Sequence, residues 1–285
     1  IPGIETEDGD GINRISDLTE DFSISSSLIS MSDGHSIGAL HWSNEIDDFD
    51  SAESLTDILT AYNNAITPSI ADTLYIASGQ ANAGLLETTI NGDVDTDGNR
   101  LHPNRVYKLD EGFHFVFSAI NVENDGGTIR IVGATGGKKP VIIPIVNNGV
   151  APGQNRITSS LELKNLHIQG RNNEGGRWGG YLFRLFGNDR SLFVEDCIIE
   201  FAERGFMLQD VPQGLTMEFR NNYFRDFFVE GQQWSGYAMD AKNVPIESFI
   251  FENNTITGGG VSLLLQYQFV RYALFNHNTF LFIHV

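Results

Sequence analysis

Three aspartates alternate in the stretch DVDTDGNR, at Asp93, Asp95 and Asp97, and Gly98 follows them. Carboxylates spaced by two in a loop can turn their oxygens toward one hard cation, and a glycine lets the backbone wrap it, so the pattern predicts a calcium site. Its twelfth position is Asn104 rather than Glu, so this is not a complete EF-hand loop. DGDGIN at 8–13 has the same character but too few ligands to hold an ion alone. Other apparent motifs fail on context. GHSIG at 34–38 matches the GxSxG nucleophile elbow, with Ser36 as nucleophile, but only 33 residues precede it and that elbow needs several strands before it. GATGGKK at 133–139 lacks the spacing and the closing Ser or Thr of a phosphate loop. The seven histidines show no HxxxH or HExxH spacing, so zinc has no support.

Composition limits what partners such a loop could serve. Thirty-seven acidic residues face eighteen basic ones, for a formal charge of −19. That field disfavours nucleic acid and favours divalent cations. No apolar run reaches the length needed to span a bilayer, and the chain opens on IPGIETEDGDG rather than a signal segment. Cys197 is the only cysteine, so redox chemistry does not identify the compartment. Calcium loops suit extracellular ion levels, which favours an exported or cell-surface protein.

The elements that must position these residues are short strands. Residues 1–50 read as an acidic leader or linker, and 51–285 as one domain. In LTDILTAYNNAI, Leu55, Ile58, Leu59 and Tyr62 fall at helical spacing behind Ser54, which predicts a short capping helix. Beyond it DTLYIAS, RVYKLDEG, HFVFSAINV, TIRIVGATGG and PVIIPIVNNG are strand-like runs between turns, with no helix intervening. The fold class is all-β.

Internal repeats narrow it further. LKNLHI, VEDCII, FRNNYF, FENNTI and FNHNTF start at Leu163, Val194, Phe219, Phe251 and Phe275, in steps of 31, 25, 32 and 24 residues. A second phrase follows the first four: GYLFRLF from Gly180, GFMLQDV from Gly205, GYAMDAK from Gly236 and GVSLLLQ from Gly260. The long steps hold the inserts RNNEGGRW and RDFFVEGQQW. A fixed order of two strands per repeat is what a parallel β-solenoid requires, each coil stacking about 4.8 Å from the last. The fourth position of the phrase reads Leu166, Cys197, Asn222, Asn254 and Asn278, which predicts an asparagine ladder at a left-handed corner.

Through FENNTI and its relatives, and the GYLF and GYAM strands, residues 55–285 resemble the pectate-lyase-like superfamily of right-handed parallel β-helices. Crossover sterics favour the same hand. With Tyr181, Phe206, Tyr237 and Val261 inward, alternation puts Arg184, Gln209, Asp240 and Leu264 outward in one column, and Phe186, Val211, Lys242 and Gln266 in the next. Lyases of this fold bind an acidic sugar through calcium and remove a proton with Arg or Lys. The resemblance therefore implies Asp240 as a calcium ligand and Lys242 or Arg184 as the base of a polysaccharide lyase. This column has one acid where such lyases cluster several.

The inserts give a separate binding signal. They end in WGGY and WSGY, placing Trp178 and Trp234 two coils apart, roughly 10 Å, where two indoles could stack on successive sugars of a polysaccharide. NTFLFIHV carries the last apolar strand, and a solenoid must cover its last coil. Covering by further chain or by another subunit is expected, and head-to-tail self-association would give a surface-layer or filament subunit. The reading is thus a carbohydrate-contacting, calcium-stabilised extracellular β-helix, with the lyase and the structural subunit as alternatives.

Overall fold

Residues 68–285 form one compact unit of the chain. The computed structural model describes residues 73–78, 82–112, 114–117, 120–122, 127–144, 155–170, 178–227, 236–258 and 262–281, all within that unit. The expected leader, the helix at Leu55 to Tyr62 and Ser36 lie outside the described residues.

Parallel strands form three sheets, and after two successive strands of the first sheet the chain visits the three in a fixed cycle. The first sheet holds β1 (Thr73–Ile76), β2 (Val106–Leu109), β5 (Thr128–Gly133), β8 (Ser160–Lys164), β11 (Ser191–Glu195), β14 (Leu215–Arg220), β17 (Ile246–Glu252) and β20 (Val270–Asn276). The second holds β3 (His114–Phe117), β6 (Val141–Pro144), β9 (His167–Gln169), β12 (Ile198–Glu200), β15 (Tyr223–Arg225), β18 (Thr255–Thr257) and β21 (Thr279–Leu281). The third holds β4 (Asn121–Val122), β7 (Arg156–Ile157), β10 (Trp178–Phe186), β13 (Ala202–Asp210), β16 (Tyr237–Asp240) and β19 (Ser262–Leu265). A cycle of three strands stacked rung on rung is a parallel β-solenoid. Among the described residues no helix is long and apolar enough to cross a membrane.

Alternation along the strands of the first two sheets sets which side chains enter the core. In the first sheet Ile131, Leu163, Val194, Phe219 and Phe251 align and are buried. In the second, Ile142, Ile168, Ile199, Phe224 and Ile256 do the same. Phenylalanines extend the core along the stack, with ring centroids 6.4 Å apart for Phe117 and Phe183 and 6.2 Å for Phe183 and Phe206.

The repeated phrase is the corner between first and second sheets, and it divides two jobs the sequence reading gave to one residue. Its third residue takes the left-handed conformation: Asn165, Asp196, Asn221, Asn253 and His277 have φ between 51° and 57°. Short polar side chains meet that cost best. Its fourth residue builds the ladder. Asn222 Oδ1 accepts from Cys197 N (2.9 Å), Asn254 Oδ1 from Asn222 N (2.9 Å) and Asn278 Oδ1 from Asn254 N (2.9 Å). Each amide also donates backward, Asn222 Nδ2 to Val194 O at 2.8 Å and Asn254 Nδ2 to Phe219 O at 2.9 Å. Buried backbone groups that no strand can satisfy are thereby paired.

Among the described residues one α-helix, α1 (Leu85–Gly92), packs against β1, β3 and β4, the first strands of the three sheets. Leu86 and Ile90 enter the core. Gly84 N donates to Val116 O (3.2 Å) and Asn121 N to Asn91 Oδ1 (2.8 Å), joining both ends of α1 to the first coil.

Candidate functional site

The outward face of the third sheet carries the residues whose chemistry the sequence singled out. β10, β13, β16 and β19 run in parallel register, Arg184 pairing with Met207, Met207 with Asp240 and Asp240 with Leu265. Arg184 and Asp240 therefore share a column, as expected. Gln209 does not: it lies two residues beyond Met207, and Val211, expected outward, is fully buried. Tyr181 pairs with Arg204, and Phe183, not Tyr181, stacks on Phe206. The glycines used to align the phrases are not equivalent. A side chain at Gly205 would meet Ala238 O at 2.2 Å, so that glycine answers to close backbone approach.

Asp240 is 3 % exposed and accepts from Tyr181 Oη at 2.6 Å. Burial, and then the bond to Asp240, push the Tyr181 hydroxyl well above its ordinary pKa, so it stays a protonated donor. The Arg204 guanidinium lies over the Tyr181 ring at 5.3 Å. Lys242 N reaches Asp240 Oδ1 at 3.3 Å, while Lys242 Nζ sits over the exposed Tyr267 ring at 5.6 Å. Arg184 Nε donates to Asp210 Oδ2 at 2.6 Å, and Arg184 and Arg156 both contact the Phe186 ring, at 4.6 and 4.3 Å. Asp240 and Lys242 are brought together, but each candidate base is held against its own ring or carboxylate. Trp178 opens β10 opposite Ala202, and Trp234 lies outside the described residues.

The acidic loop does not gather its three carboxylates. Asp93 turns inward, accepting from Tyr107 Oη at 2.7 Å and pairing with Arg100 (3.4 Å) and Arg105 (3.3 Å). Asp95 Oδ1 accepts from the backbone N–H of Asp97 and of Asn99, both at 2.9 Å. The Asn99 N–H foremost, opposed by desolvation, holds the Asp95 carboxyl below its ordinary value. Two of the three are thus spent on an ion-pair network and a turn. Among the described residues no group of three or more His, Cys, Asp or Glu side chains could hold a metal ion. So placed, the residues do not fit the calcium site that their spacing predicts.

A second cluster, on the outer face of the second sheet, went unnoticed in the sequence. Gln169, Glu200 and Arg225 occupy one register position on successive rungs. Glu200 is 1 % exposed although its column neighbours are half-buried. It accepts from His167 Nε2 and Gln169 Nε2, both at 2.7 Å, and from Arg225 Nε. Burial raises the Glu200 carboxyl, but Arg225, Gln169 and His167 outweigh it and hold it below the usual range. Phe201 follows at φ 59°, a position taken by Asp226 and Gly258 on later rungs. A bulky residue there costs on the order of 1–3 kcal/mol. Reading one residue beyond each repeated phrase, Gln169, Glu200, Arg225, Thr257, was the signal that could have found this column.

No protein-family model, curated protein or solved structure matches the chain.

Proposed function

We propose that this chain is a right-handed parallel β-helix of the pectate-lyase-like kind that works outside the cell, contacting polysaccharide along the outward face of its third sheet. One observation carries the reading: ring and cation are paired repeatedly along that sheet and just beyond it, Arg156 and Arg184 on Phe186, Arg204 on Tyr181, and Lys242 on Tyr267 in the segments that follow β16 and β19. A pyranose presents an apolar C–H face and a rim of hydroxyls. Flat rings meet the first, and guanidinium, ammonium and carboxylate groups the second. Rungs spaced by about 4.8 Å match an extended polymer better than a compact ligand. Trp178 and Trp234 belong to the proposal on the sequence alone, and calcium is not part of it.

A glycan array, with and without calcium, tests the reading. Phe186→Ala and Tyr267→Ala should each weaken the best hit about threefold to tenfold, the equivalent of the roughly 0.5–1.5 kcal/mol an aromatic contact contributes, with the β-type circular dichroism unchanged. Binding to no glycan, or binding that both variants leave intact, would refute it.

A further inference from the structure

We propose that the two buried arginines between α1 and β2, Arg100 and Arg105, hold a small monovalent anion of the class of chloride. This inference is independent of the glycan reading. Both guanidiniums converge on one carboxylate oxygen: Arg100 Nη2 lies 3.4 Å and Arg105 Nε 3.3 Å from Asp93 Oδ2. The side chains of Arg100 and Arg105 are 2 % and 10 % exposed, and that of Asp93 4 %. Among the described residues no second carboxylate pairs with either arginine. Two positive charges and one negative charge therefore leave one positive charge unmatched where water hardly reaches, and such a charge is costly.

Hydrogen bonding shows the same deficit independently. Arg100 spends Nη1 on Ile90 O and Nη2 on Asp93 and Tyr107, but its buried Nε has no acceptor. Arg105 is worse served. Its buried Nε faces Asp93 as an ion pair without hydrogen-bond geometry, and its other N–H groups make no hydrogen bond to a described residue. Buried donors are seldom left so, and a guanidinium offers five of them. The conflict is felt at Arg100, whose pKa is pressed below its ordinary value by burial first and by Arg105 last, with Asp93 opposing both. One monovalent anion supplies both the missing charge and the missing acceptor, whereas a water molecule supplies only the acceptor. Access is narrow: a tenth of the Arg105 side chain is open, in a loop whose Leu101, His102, Pro103 and Asn104 are exposed, which suits an ion and not a bulky ligand. A chain of charge −19 repels anions in general, so an anion held here answers to these two side chains.

The test uses the full chain and halide salts alone. Replacing sodium fluoride by sodium chloride at constant ionic strength, over about 1 to 300 mM, should raise the melting temperature along a curve that saturates, as binding to the folded state requires. General salt exclusion acts the other way, fluoride being the more strongly hydrated ion. Bromide should take the place of chloride and, in crystals, give an anomalous peak beside the Arg105 guanidinium. Arg105→Gln removes the unmatched charge and should flatten the chloride curve. Lys138→Gln, the same change of charge at an exposed position, should leave the curve intact. If Arg105→Gln does not fold, the chloride curve and the bromide peak of the native chain still decide. Equal melting in the two halides, bromide found only away from Arg105, or a chloride effect that Arg105→Gln retains would each overturn the proposal, the first leaving water as what meets these N–H groups.

Discussion

Cys197 occupies a ladder position that Asn222, Asn254 and Asn278 fill on the next three rungs, and it fills that position imperfectly. Its single S–H is shared between Leu163 O at 3.5 Å and Glu195 O at 3.2 Å, while its sulfur takes the Leu166 N–H. An amide would offer two N–H groups and a stronger acceptor in the same place, as Asn222 does toward Val194. Cys197→Asn should therefore stabilise the protein by about 0.5–1.5 kcal/mol, read as a rise in melting temperature. A lower melting temperature would mean that the corner at this rung is too tight for the longer side chain. The thiol itself should be inert in the native protein, because burial pushes its pKa up to about 12.

Among the elements, α1 depends most on one charge. Asp93 caps its end by position and faces Arg100 and Arg105 from inside, and Arg100 Nη1 in turn holds Ile90 O at 2.5 Å. Asp93→Asn would leave two buried guanidiniums without a counter-charge, at a cost of about 3–5 kcal/mol. Hydrogen exchange should then show Leu85–Gly92 opening before β14 does, and equal protection of the two would disprove the role. The same helix shows where sequence reading stops. ETTING combines β-branched residues with a glycine, so its helix propensity is low, and docking on β1, β3 and β4 supports it. The corners were legible because five phrases repeat one pattern, although the left-handed residue and the ladder residue had to be told apart by the backbone. The third sheet was less legible: its strands are bulged between Trp178 and Tyr181 and between Arg184 and Phe186, so phrases that agree in letters do not agree in register. The Glu200 cluster joins residues 25 to 33 positions apart, which no local window brings together.

For the whole molecule, the direction of the ladder bonds has a temporal meaning. Cys197 N is satisfied by Asn222, Asn222 N by Asn254 and Asn254 N by Asn278, so each corner N–H is closed by the coil that comes after it in the chain. On a ribosome the polypeptide emerges in that order, at about 5–20 residues per second, so a corner waits some seconds for its partner to be made. The α1 end can settle first, and the newest coil is always the unfinished one, with raw edges and bare rings facing the exit. Protease protection of chains arrested at increasing length should therefore advance in steps of one coil, each step lagging synthesis by one coil. Protection rising smoothly with length would mean that the stack forms only after release, and that the fold is assembled by collapse and not by accretion.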